Sequence, residues 1–174
     1  IGVTGGISAY KSVDVISALK KNGHHVSVIA TPNALHFVSE NVLKLTADKY
    51  WAEDWSRPVH IYASENVDLF CVVPATANTI AKFAHGIADN LLTETYLALP
   101  DKTHKVIFPA MNERMWRNKA FSENIFDLIN DYGVEVIPPT EGDLICGTVG
   151  IGKLPPTKTI VDAINNRLNK LSEF

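Results

Sequence analysis

The sequence predicts a single α/β domain organised around a doubly wound parallel sheet. Three observations carry this expectation. Short, continuous apolar segments rich in β-branched residues recur along the chain, as strands covered on both faces require. Longer segments between them place apolar residues at helical spacing. Glycine or proline closes most of those helical segments. The resulting βαβα order fits a Rossmann-like or flavodoxin-like architecture, with helices on both faces of one sheet.

The first strand is expected at Ile1–Thr4, followed by a helix over Ile7–Asn22. That helix carries the stripe Ile7, Tyr10, Val13, Ile16 and Leu19 and stops at Gly23. His25–Ala30 reads as the next strand, and Leu69–Val73 as the one after it. The helix over Thr76–His85 stops at Gly86, and that over Asp89–Leu99 at Pro100. The strand Lys105–Phe108 leads to a helix over Arg117–Tyr132, closed by Gly133. Val134–Ile137 is the last expected strand. The final helix, Thr157–Leu171, follows two prolines, with Thr157 in the N-cap position. Between them Gly142–Lys153, with four glycines, exceeds the usual connection and reads as a mobile flap.

Composition narrows the function. A chain of 174 residues suits one domain, here spanning 1–174, and 46% hydrophobic with 20% charged residues is globular rather than disordered. The net charge of −3 and the lack of a Lys/Arg run argue against a nucleic-acid partner. No apolar run approaches the ~20 residues that span a bilayer, so no membrane partner is expected. Cys71 and Cys146 are far apart and form no Cys-x-x-Cys pair, which argues against a zinc site or disulfide and for a reducing cytoplasm. The first residues read as a strand rather than a signal peptide. The chain opens on Ile rather than Met, so a short preceding piece is expected.

Ligands of doubly wound sheets bind beyond the carboxyl ends of the strands, which directs attention to the strand-to-helix turns. In Thr4-Gly5-Gly6-Ile7-Ser8 the glycines permit close approach of a ligand, and a helix start offers N–H groups to an anion. A tight turn without a ligand explains them almost as well, and the G-x-G-x-x-G fingerprint is absent, which leaves a mononucleotide phosphate. Thr31 stands at a strand end, where capping the next helix is the simpler role and contacting a cofactor the other. Thr76, Asn78 and Thr79 offer more polar groups than a cap needs, as a phosphate or ribityl chain would require. Met115 and Trp116 suit core packing. Asn112 does not, and its amide can hold a carboxylate or another amide. Cys146 lies in the glycine-rich flap, whereas Cys71 sits in an apolar strand. Among six histidines, His60 ranks slightly above the others because it opens a short helical segment after Arg57-Pro58-Val59.

Four stretches together carry a resemblance: Gly5-Gly6-Ile7-Ser8-Ala9-Tyr10-Lys11, Pro74-Ala75-Thr76-Ala77-Asn78-Thr79, Pro109-Ala110-Met111-Asn112-Glu113-Arg114-Met115-Trp116 and Cys146-Gly147-Thr148-Val149-Gly150. The sequence resembles the homo-oligomeric flavin-containing cysteine decarboxylases. The third stretch is that family's P-x-M-N-x-x-M-W signature without a change, and the four fall in the family's order along nearly the whole chain. Thr76 replaces the more usual Ser, which keeps the hydroxyl. Within the family, Cys146-Gly147 favours the branch that decarboxylates phosphopantothenoylcysteine on the way to coenzyme A. The peptidyl-cysteine branch generally lacks that loop and stops at an enethiol. A non-catalytic flavin-binding regulatory subunit is a third reading, against which His60 and Asn112 both stand.

The resemblance implies FMN as cofactor, lined by Gly5, Gly6, Ile7, Thr31, Thr76, Ala77, Asn78, Thr79 and Ala110. It implies that His60 accepts a proton as the substrate thiol is oxidised and that Asn112 holds the substrate carboxylate and adjacent amide. Met115 would shape the pocket, and Cys146 would donate the proton of the final reduction. It also implies a homo-oligomer, a trimer or a dodecamer of trimers, with the chain a stand-alone enzyme or an excised domain.

Overall fold

Six short strands make the middle layer: β1 (Gly2–Val3), β2 (Ser27–Ala30), β3 (Lys49–Trp51), β4 (Leu69–Ala75), β5 (His104–Pro109) and β6 (Val134–Val136). The structure, a computed structural model, describes residues 1–145 and 147–171. The strand order is β3-β2-β1-β4-β5-β6, with every pairing parallel. The chain therefore winds outward from β1 in one direction and from β4 in the other, the Rossmann type of doubly wound sheet. Its switch point lies between β1 and β4.

The interior strands β1, β2, β4 and β5 are buried on both faces because their alternate side chains enter two separate cores. On one face Val3, Val28, Cys71, Val73, Val106 and Phe108 pack with α1 (Ser12–Lys21), α2 (Glu40–Thr46) and α8 (Thr157–Leu171). On the other, Ile29, Phe70, Val72 and Ile107 pack with α3 (Val59–Ser64), α4 (Ala77–Ala84), α5 (Leu91–Ala98) and α7 (Lys119–Asn130). Phe83 and Tyr96 stack there at 3.8 Å between ring centroids. Burial contributes roughly 1.5–3 kcal/mol for each fully enclosed Val, Leu, Ile or Phe. It also pushes the Cys71 thiol up to about 12, so this cysteine is core, as its apolar strand predicts.

Several elements differ from expectation: α2 has no counterpart among the expected helices, and the helix expected over Ile7–Asn22 begins as a 3-10 turn over Ile7–Lys11. β3 pairs with β2 on one side only, so its Lys49-Tyr50-Trp51 needs no continuous apolar run. The glycine-rich stretch after β6 forms an antiparallel hairpin, β7 (Thr140–Asp143) and β8 (Val149–Lys153). Thr157 is the first helical residue of α8 rather than its cap, because Pro156 lies before it and its carbonyl already accepts from the Ile160 N–H.

Thr4 ties the two halves of the sheet together just beyond their strands. Its fully buried hydroxyl donates to the Pro74 carbonyl (2.8 Å) and accepts from the Thr76 N–H (2.9 Å). Replacing Thr4 by Val keeps the shape and strands both backbone groups. We expect Thr4→Val to lose about 1–3 kcal/mol of unfolding free energy in urea, with an unchanged denaturant slope. A neutral substitution would mean that water takes over both bonds.

Candidate active site

The Thr4 joint brings the turns after β1 and β4 side by side, and a cleft opens along the carboxyl ends of β2, β1, β4 and β5. Its volume is about 740 Å³, within the ~300–1,000 Å³ usual for small-molecule sites. Most of the residues singled out in the sequence line it: Gly5, Gly6, Ile7, Thr31, Thr76, Ala77, Asn78, Thr79, Ala110, Asn112 and Met115.

After β1, a 3-10 turn over Ile7–Lys11 runs directly into α1. No side chain caps it at Gly6, which leaves its first N–H groups for an anion. The two glycines have different reasons to be there. A Cβ on Gly5 would stand 2.5 Å from Asn33 Cβ and 2.8 Å from its carbonyl carbon. Gly5 therefore lets the turn after β2 close against the turn after β1. A Cβ on Gly6 would meet nothing nearer than Thr76 Cγ2 at 3.8 Å. At Gly6 no packing contact asks for glycine, which leaves a ligand's approach as its reason.

After β4, Thr76 caps α4 by accepting from the Thr79 N–H, and its hydroxyl lies 3.2 Å from that of buried Thr79. Asn78 is exposed in the cleft and makes no side-chain hydrogen bond among the described residues. Thr31 fulfils the simpler expectation, accepting from the Ala34 N–H at 3.3 Å, and lines the cleft as well.

After β5, Asn112 caps α6 (Glu113–Trp116), its Oδ1 accepting from the Arg114 N–H at 2.9 Å. An amide at this place can hold a carboxylate. Met115 is half-exposed and faces the cleft instead of filling the core, whereas Trp116 packs on Phe121. The β7–β8 hairpin closes this end. Gly152 accepts from the Met111 N–H (3.0 Å), and a Cβ there would stand 2.0 Å from the Met111 carbonyl oxygen, so only glycine permits the junction.

Sequence reasoning missed the wall between α4 and α5. Lys82 and Asp89 pair across it at 2.6 Å, and the Lys82 hydrogen bond holds the Asp89 carboxyl below its ordinary value. Asn90 caps α5 in a capping box with Thr93, a pattern visible in Asn90-Leu91-Leu92-Thr93. His60 on α3 does not line the cleft. Its Nδ1 lies 3.6 Å from Glu94 Oε2, one turn along α5 from Asn90, which does. Cys146 falls outside the described residues.

The donors fit a flavin mononucleotide: helix-start N–H groups and the Thr76–Thr79 hydroxyls for phosphate and ribityl chain, and Ile7, Ala110 and Met115 for a flat ring. The sequence matches the flavoprotein family over residues 1–169. The chain belongs to the flavoprotein family. This flavoprotein is 37% identical over 174 residues to a probable phosphopantothenoylcysteine decarboxylase of Streptococcus mutans, covering 97% of each chain. It is 41% identical over 165 residues to the coenzyme A biosynthesis bifunctional protein CoaBC of Bacillus subtilis, covering 91% of this chain but only 40% of that one. Two solved structures share its fold closely. A PPC decarboxylase mutant complexed with pantothenoylaminoethenethiol superposes with a TM-score of 0.86 at 25% identity, over 97% of this chain and 96% of that one. The FMN binding protein AtHal3 gives 0.80 at 26% identity, over 94% and 92%.

The two glycines make opposite predictions. Gly5→Ala should lower the melting temperature by several degrees, as a 1–2 kcal/mol strain does in a domain of this size. Gly6→Ala should leave the melting temperature in place and purify with less bound flavin. Full flavin content in Gly6→Ala would remove Gly6 from the ligand's path.

Proposed function

We propose that this chain is a phosphopantothenoylcysteine decarboxylase, a carboxy-lyase that uses FMN and forms phosphopantetheine for coenzyme A synthesis. The observation that carries this reading is Asn112. The signature sequence places this amide at the end of β5, across one cleft from the Thr76–Thr79 turn, where a carboxylate can lie against a flavin ring. The similarity to the Streptococcus mutans relative, over 97% of each chain, supports the same substrate.

Loss of CO2 from a cysteine leaves an electron pair that no side chain can take, and bound FMN supplies the reversible two-electron sink that keeps the net reaction redox-neutral. The chain's residues orient and move protons around it. Asn112 donates to the substrate carboxylate without placing a full charge beside it. Met115 packs the carbon skeleton, and the hairpin anchored at Met111 covers this end of the cleft. His60 accepts the proton from the substrate thiol. Cys146 returns a proton to the enethiol carbon in the last step; a free thiol is mostly protonated at neutral pH.

The reading includes a homo-oligomer, a trimer or a dodecamer of trimers, working in the cytoplasm. Two features support the assembly. His60 stands outside its own chain's cleft, and apolar Ile7, Tyr10, Leu35 and Phe37 are exposed around the turns after β1 and β2. Among the described residues no helix is long and apolar enough to cross a membrane.

Mass spectrometry of the product from yellow protein and phosphopantothenoylcysteine tests the proposal. The expected product is lighter than substrate by CO2 alone, and His60→Asn should keep the colour while losing at least about a hundredfold in turnover. A product lighter by CO2 and two hydrogens would show that the reaction stops at the enethiol. No product would exclude this substrate and direct attention to cysteine-ending peptides.

A further inference from the structure

The cleft holds two lysines among its described lining residues, and they are not equivalent. Lys82 is neutralised by Asp89 at 2.6 Å. Among the described residues Lys153, on β8, makes no ion pair, and Asp143, the other charged hairpin residue at the cleft, makes none with it. The hairpin is shaped around this side chain. A Cβ on Gly142 would stand 2.9 Å from Lys153 Cδ and 3.3 Å from its Nζ, so the bare backbone at Gly142 lets the stem lie flat across β7. The next residue back, Gly152, is locked to Met111, which fixes where the lysine starts.

We propose that Lys153 binds the terminal phosphate monoester of the substrate and so sets the preference for a phosphorylated substrate; this rests on the decarboxylase reading above. Two other anions compete for that ammonium, and physical arguments count against each. The cofactor phosphate has its donors at the turns after β1 and β4, while Lys153 stands on the hairpin beyond β5. From the turns after β4 and β1 to that after β5 the cleft crosses one and two strand spacings, about 5 and 10 Å. The substrate carboxylate must lose its charge as CO2 leaves. A cation on it would stabilise the ground state more than the transition state and slow the reaction. A neutral amide, Asn112, is the better partner there. A cation on a remote group that does not react stabilises both states alike and helps capture and orient the substrate.

The test compares kcat/KM for phosphopantothenoylcysteine with kcat/KM for pantothenoylcysteine, in the wild type and in Lys153→Met and Lys153→Arg, with flavin content measured on each. The wild type should prefer the phosphorylated substrate. Lys153→Met should cut that ratio about tenfold or more at unchanged flavin content, and Lys153→Arg should restore most of it. An unchanged ratio, with both substrates slowed equally, would assign the lysine to the carboxylate and overturn the proposal. Loss of flavin in Lys153→Met would assign it to the cofactor phosphate and overturn it likewise. Wild type inactive on both substrates would bring down the decarboxylase reading itself, and this inference with it.

Discussion

The buried hydroxyl of Thr4 joins the two strands between which the sheet reverses direction. At that reversal the helices on neighbouring strands diverge to opposite faces, and the space they leave is the cleft. Without a bond across it, the turns after β1 and β4 would be linked only through a short strand pairing, Gly2 against Val72. The Thr4 hydroxyl bonds to both Pro74 and Thr76, setting the start of α4 beside the start of the 3-10 turn. The end of the cleft proposed for the phosphate follows from that placement. Gly5 adds the turn after β2 by removing the one Cβ that would hold it away.

The opposite side of the cleft depends on the hairpin. Its base is pinned where Gly152 meets Met111, and a Cβ on Gly150 would stand 2.3 Å from Glu113 Oε2, so the hairpin touches the signature segment at two points. In the proposed reading, cofactor donors and substrate donors thereby come from different parts of the chain, the former on the turns at the switch point of the sheet, the latter on the segment after β5 and the hairpin joined to it. That reading divides the charges in the same way, with a neutral amide at the reacting carboxylate and an ammonium unpaired among the described residues on the hairpin.

How much of this could be read in the sequence depended on burial. The interior strands β4 and β5 are enclosed on both faces, so Leu69–Val73 and Lys105–Phe108 stand out as apolar runs. β3 is an edge strand of three residues, and its Lys49 lies over the Trp51 ring instead of entering a core, so it leaves no run to find. Asn112 was legible because a polar residue at the end of a buried strand has no packing role. Gly5 was only partly legible: that it also makes room for another piece of backbone shows once Asn33 is placed. The Lys82–Asp89 pair and Lys153 were invisible because each is an ordinary surface residue in sequence. Only the closing of α4 on α5, and of β8 on β5, puts them at the cleft.

The most direct test of the account is a crystal structure of the yellow protein with its flavin bound. The account predicts the FMN phosphate at the Gly6 and Thr76–Thr79 turns, with the ring running towards Asn112 and Met115 and the hairpin lying over that end. Flavin density lying elsewhere, or with its phosphate against Lys153, would contradict the assignment of the cleft and of both its ends.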